Sequence, residues 1–487
     1  MSERATRSLA ARALLALALF VGFYALGAAL VLGLLWVPWA QTRYADHVDV
    51  SGIVCGVFGV WMAIALLPRM GGGRPPVEPT LPTDAHAKLR ALIADTARAV
   101  GEPPPDELYV LASVNAFAAR RGGFLGIGGR RMIGIGLPLL SALEEDELRA
   151  VIAHELGHHH AGDLHLGPWI HRTRTAVAVA LARLEGASML LHLPFALYAR
   201  VFLRLTRQAS RDQELAADAI AGRVVGKDAA ARALIGVERL APRWGAYFQG
   251  EVVPLLNTGH RPPLLDGFRH FLAQPVLRPD VQEAIARATD HEPGESDTHP
   301  PLVERLASLE SARVTRPPPS ASALDLLDSV ERAEKDALDV VLMPGHPPLT
   351  AVRWDAIGDT WVAMWRARLR TEPKIASAQI ASIPDLIARW ESLEAPQQGI
   401  SLLSPAAKRK RVCDLLGCRL AVALADLGFH VDAPPGAETR ATKDGRSIEP
   451  EAIVRKLAAG EIGASAFREA LAAAGVTGAR ASAPRAP

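Results

Sequence analysis

Apolar and polar residues follow three patterns along this chain. First come two nearly uncharged runs, about Leu9 to Trp39 and Val50 to Leu67, interrupted by the polar stretch that holds Arg43, Asp46 and Asp49. Each is long enough to cross a bilayer as a helix. The first carries one charge, Arg12, near its start, and its apolar core exceeds that of a cleavable leader. The pattern therefore predicts two transmembrane helices within 1–70. Residues 71–83 are rich in Gly and Pro and read as a linker. Beyond it the spacing turns helical. Leu89, Leu92, Ile93 and Ala97 predict a helix to Val100, capped by Thr83 or Asp84 and ended by Pro103 to Pro105. Leu108 to Leu111 and Arg131 to Gly136 predict short strands, and a helix follows over Glu147 to His158. Residues 176–205 are apolar but broken by Arg183, Glu185, His192, Arg200 and Arg204, which are costly at a bilayer centre. They predict membrane-proximal or partly inserted helices, with two further spans left open.

The C-terminal part is patterned as helices. A linker at 313–322 contains Arg316-Pro-Pro-Pro-Ser320, and 323–475 form a helical accessory module before a tail at 476–487 that reads as disordered. Trp354, Trp361 and Trp365 form a stripe read as a helix core face. The basic run Lys408 to Arg411 reads as a solvated helix start rather than a lipid-binding patch. Residues 432–447 read as loop, and Glu449 to Ala473 as two short helices broken at Gly460 to Gly463. The fold class is mainly α (α+β), with a middle domain at 84–312.

Composition adds little to this picture. Of the 487 residues 49% are hydrophobic, in keeping with membrane segments, and the net charge of +2 supplies no field for nucleic acid. Cys55, Cys413 and Cys418 lack the second pair that a zinc ribbon needs and read as free thiols. Arg4 and Arg7 precede the apolar pair, and Arg69 and Arg74 follow it. Both flanks are therefore expected on the cytoplasmic side.

The chemistry lies in His154-Glu-Leu-Gly-His158. Residues four apart share a helix face, so His154 and His158 offer two imidazoles to one ion. Glu155, one step round, can reach a water on it; this is the H-E-x-x-H pattern with Glu as general base. Ala161 and Leu164 stand where a metzincin needs Gly and His, which excludes that subclass. His159 and His160 read as solvent-facing or as supports behind the ligands, not as ligands. Ser210-Arg-Asp-Gln-Glu-Leu-Ala-Ala-Asp218 then places Glu214 and Asp218 on one helical face. Glu214 is suited to be the third ligand, and Asp218 to accept a hydrogen bond from a ligand histidine. The strand Met132, Ile133, Gly134, Ile135, Gly136 before the motif helix is expected to offer an open edge to a peptide.

These stretches, with Asn115-Ala-Phe-Ala118, Gly162-Asp163 and Thr298-His-Pro-Pro301 followed by Arg305, resemble the membrane-bound zinc metallopeptidases that include HtpX and the CAAX prenyl proteases. The resemblance implies a zincin-like domain and one Zn2+ per chain held by His154, His158 and Glu214. It implies Glu155 as the base and His299 as a further site residue, a structural cap being the competing reading. Arg211 is expected to form an ion pair in the site wall, with Asp218 as a candidate partner. The implied partners are a membrane-associated peptide or protein substrate and the lipid bilayer. The implied setting is a bacterial cytoplasmic membrane with the catalytic domain on the cytoplasmic side. The implied work is quality control or processing of membrane proteins. An inactive scaffold that keeps the fold and a zinc hydrolase of non-peptide substrates are the alternatives. All four residues His154, Glu155, His158 and Glu214 are intact, which favours an enzyme.

Overall fold

The computed structural model describes residues 3–45, 47–66, 82–121, 129–160, 177, 189–289, 300–309, 321–342, 346–393 and 404–476. The chain divides into two compact units, Met1–Ala241 with Asp290–Pro344, and Pro242–Thr289 with Gly345–Pro487. This differs from the linear division at 312/323 expected from sequence. Residues 242–289 fold with the C-terminal part, and 321–342 fold with the metal-motif part.

In the first unit, α1 (Glu3–Tyr44) and α2 (Val50–Leu66) pack as an antiparallel pair. Residues Leu17–Tyr44 of α1 are long and apolar enough to cross a membrane, and α2 is a shorter apolar helix. The sheet has the order β1-β2-β4-β3, built from Pro82–Thr83, Glu107–Leu111, Arg130–Gly136 and Ala116–Arg121 as β1, β2, β4 and β3. Strand β4 pairs parallel with β2 and antiparallel with β3. Both edges of Met132 to Gly136 are therefore taken, which corrects the expectation that this strand offers an open edge to a peptide. The outer strand is β3. Its glycine-bearing neighbour has a steric reason: a Cβ on Gly134 would lie 2.2 Å from the Phe117 ring, and one on Gly136 2.1 Å from the Ser113 carbonyl oxygen. Gly136→Ala should therefore destabilise the unit by about 1–3 kcal/mol, the usual cost of overpacking, read as a lower denaturant midpoint.

Between β1 and β2 runs α3 (Ala87–Val100), which starts two to three residues later than its sequence suggests. Its first amides are capped from a distance: His86 N and Ala87 N donate to Asp328 Oδ2 at 2.6 and 3.1 Å. No local spacing reveals such a cap. After β4 come α4 (Leu137–Ala142) and α5 (Glu145–His160). Glu147 reaches back to the Glu144 amide at 3.1 Å, half of a capping box. Arg232 pairs with Asp146 and Glu147 at 2.6 and 3.1 Å. Glu145 N donates to Ala321 O and Ala323 N to Leu143 O, so residues 321–323 lace the start of α5. This fixes the helix that carries the histidine motif.

A single helix, α6 (Met189–Val225), then runs from the apolar helix pair to the metal motif. Phe195, Ala199 and Phe202 on α6 are buried with Phe23 of α1 and with Met62 and Leu66 of α2. Tyr198 Oη donates to the Leu19 carbonyl at 2.7 Å. Gly22 leaves room for it, since a Cβ there would sit 2.3 Å from that oxygen. Next comes α7 (Lys227–Tyr247), which belongs to this unit as far as Ala241; α8 (Leu302–Ser308) and α9 (Val330–Val341) also lie in it.

In the second unit, Tyr247, Phe268, Phe271 and Trp354 form an aromatic group, and Trp354 donates from Nε1 to the Pro263 carbonyl at 2.8 Å. Trp361 and Trp365 stack on the helix Ile357–Leu369, whereas Trp354 precedes it. The buried Glu251 joins 242–289 to the C-terminal part, bound by Arg278 at 3.0 Å and the Gly436 amide at 3.1 Å. The basic run at the start of the helix Pro405–Asp426 is engaged within the unit. Lys410 pairs with Glu283, Arg411 with Glu372, and Arg409 donates to the Ala458 carbonyl. The stretch read as loop at 432–447 holds most of a three-stranded antiparallel sheet, His430–Asp432, Arg440–Lys443 and Arg446–Ile448. Its tight turn is Asp444-Gly445, with φ of 49° and 74°. The Asp-Gly pair is the sequence signal for it. The three cysteines are free.

Candidate metal centre

The site is made where α5 and α6 cross. Gly157 allows the approach: a Cβ there would lie 3.3 Å from both Ala217 Cα and the Ile220 side chain. His154 and His158 project from α5 with ring centroids 4.8 Å apart and planes at 85°. The Glu214 carboxylate, on α6, faces both rings. Its Oε2 lies 3.5 Å from His154 Nε2 and its Oε1 3.6 Å from His158 Nε2. Ligand atoms about 2.1 Å from a tetrahedral ion sit about 3.4 Å apart, so these separations fit one such ion. Two imidazoles and a carboxylate are also the donor set that zinc accepts with one position left open. Among the described residues, His154, His158 and Glu214 are the group able to hold a metal.

Behind the ligands is a charge chain. Asp218 Oδ1 lies 3.0 Å from His154 Nδ1. The contact leaves Nε2 toward Glu214. Asp218 is gripped by Arg305 of α8, with Nε to Oδ2 at 2.8 Å and Nη2 to Oδ1 at 2.6 Å. Burial pushes the Asp218 carboxyl up, but the Arg305 guanidinium and His154 outweigh it and hold it below the usual range. Arg305 Nη2 is also 4.0 Å from Glu214 Oε2. Arg211 pairs instead with Glu304, the neighbour of Arg305. This corrects the expected Arg211–Asp218 pairing. The reason is reach: α8 presents two adjacent charges, and they bracket the two turns of α6 that carry Glu214.

Glu155 is half-buried next to His154, and its charge acts on His154 and Arg305. Burial disfavours a proton on His154, yet Asp218 and Glu214 raise it to about 9. The site thus calls for positive charge at Nε2, which a divalent cation also supplies. At pH 7 zinc uptake should therefore release about one proton from His154, and affinity should rise about tenfold per pH unit until it levels near 9. Calorimetry in buffers of different ionisation enthalpy reads that proton directly. His299, Gly162 and Asp163 lie outside the described residues, as do the side chains of His159 and His160. Sequence reasoning quoted Arg305 but assigned it no role; an Arg after a Pro-Pro helix start carries no local signal for an aspartate 87 positions earlier.

Residues 84–313 match the model of peptidase family M48. This domain is similar to that family over somewhat less than half of the chain. Among curated relatives, a protease HtpX homolog of Archaeoglobus fulgidus is 26% identical over 244 residues, 47% of this chain and 68% of the relative. One of Thermoplasma volcanium is 35% identical over 170 residues, 33% and 51% of the two. One of Acidiphilium cryptum is 29% identical over 275 residues, 51% and 80%. The chain thus spans between about half and four fifths of these relatives. A crystal structure of S. mikatae Ste24p aligns with 59% of this chain and 63% of its own at 17% identity, with a TM-score of 0.28. That score is too low to argue from.

Proposed function

We propose that this chain is a membrane zinc metalloendopeptidase whose ion is held by His154, His158 and Glu214. The observation that carries the reading is the Glu214 carboxylate facing both Nε2 atoms at 3.5 and 3.6 Å. Bound there, zinc would lower the pKa of a coordinated water and polarise a carbonyl. Glu155 accepts the proton of the attacking water and delivers it to the departing amine, so that one carboxylate serves as base and then as acid. Asp218 holds His154 in the tautomer whose Nε2 faces the ion, and Arg305 holds Asp218 ionised. The outer strand β3 packs against α5 and has no second neighbour among the described residues. It is the edge on which an extended peptide would add, its amides and carbonyls binding the substrate backbone. The basic flanks of α1 and α2 favour a cytoplasmic catalytic unit. In detergent, the full-length protein should cleave casein, and a zinc chelator should stop it. Cleavage that persists after zinc is stripped would contradict the proposal.

A further inference from the structure

Helix α6 belongs to two regions at once. Its first turns bury Phe195, Ala199 and Phe202 against α1 and α2. On its opposite side Leu193, Leu197 and Val201 are exposed at 49, 52 and 52% and spaced four residues apart. On α2, Ile53, Val57, Val60 and Ile64 are likewise more than half exposed. Exposed apolar faces of this kind beside a helix long enough to cross a membrane suit acyl chains. Arg200 and Arg204 are exposed where the stripe ends. Long cationic side chains at that level reach for headgroups. Tyr198, bonded to the Leu19 carbonyl, fixes the depth of α6 against α1.

The same helix continues without a break to Glu214. Glu214 lies ten positions beyond Arg204, about 15 Å along the axis at 1.5 Å per residue. Tilt of α6 only lowers that height. An extended chain rises about 3.3 Å per residue, so about five residues span it. We infer that α6 acts as a ruler, holding the metal centre at a fixed height so that cleavage falls about five residues beyond the end of a substrate's own membrane-spanning segment. This rests on the peptidase reading above and names the substrate class for that site: the juxtamembrane segments of membrane proteins.

The test uses the full-length protein in liposomes with single-span reporters. Each carries the same cleavable decapeptide, placed 2, 6, 12, 24 or 48 residues from the end of its apolar helix on a flexible Gly/Ser linker. A ruler predicts little cleavage at 2 and the fastest at 6. Beyond that the rate falls with the −3/2 power of linker length, about 20-fold between 6 and 48. Rates that do not depend on spacing, or equal cleavage of the decapeptide with no apolar helix, overturn the ruler and leave the peptidase standing. No cleavage at any spacing, with wild type matching Glu155→Gln, overturns the peptidase reading and the ruler with it.

Discussion

Glu155→Gln is expected to bind zinc as tightly as the wild type and to cleave peptide about 10²–10⁴-fold more slowly, the range that a positioned general base contributes. Two features separate binding from turnover. The three proposed ligand atoms come from His154, His158 and Glu214, and these lie within 4.8 Å of one another. Glu155 adds charge beside them but is not one of the three. Glutamine keeps the size and the hydrogen bonding of the side chain and loses the ability to take a proton. The measurement is a zinc titration alongside kcat/KM on one peptide. A variant with wild-type turnover would remove Glu155 from the mechanism. One that loses zinc would place it among the ligands.

Arg305→Ala is expected to weaken zinc about 10–100-fold, the usual effect of losing a partner behind a ligand. Without the guanidinium, Asp218 is a buried carboxylate whose remaining charge partner among the described residues is His154. Breaking a buried pair also costs about 3–5 kcal/mol of stability, so a drop in affinity alone would not separate positioning from unfolding. Two companions do. Arg305→Lys keeps the charge but loses the two-pronged grip, and should recover part of the affinity. Glu304→Gln loosens the neighbouring Arg211 contact and should lower stability while leaving zinc affinity near wild type. Equal zinc loss in all three variants would reduce Arg305 to a structural tie.

The grouping of the candidate ligand residues was legible because its signal is local. A spacing of four on one helix face gives His154 with His158 and Glu214 with Asp218, and each pair shares a face as expected. The helices of the C-terminal part were legible for the same reason, down to the break at Gly460, where φ is 75°. What sequence missed depends on residues far apart in the chain. Strand β3 (Ala-Phe-Ala-Ala-Arg-Arg) has a composition poor in strand formers, and it becomes a strand by pairing with β4 across the register Ala116↔Ile135 to Arg121↔Arg130. The apolar β4 was therefore taken for the edge that β3 occupies. The partner of Asp218 lies on another helix, and the cap of α3 comes from Asp328. The placement of 242–289 with the C-terminal part depends on Glu251 meeting Arg278 and Gly436, which no periodicity encodes.

The central claim is that His154, His158 and Glu214 hold one zinc ion with a position left open. Zinc X-ray absorption on the purified full-length protein, with metal content measured on the same sample, tests it most directly. The account predicts about one zinc per chain in a four-coordinate shell of nitrogen and oxygen at about 2.0–2.1 Å with two imidazoles, and loss of that zinc in Glu214→Ala. Sulfur in the shell, or full zinc retention in Glu214→Ala, would contradict it.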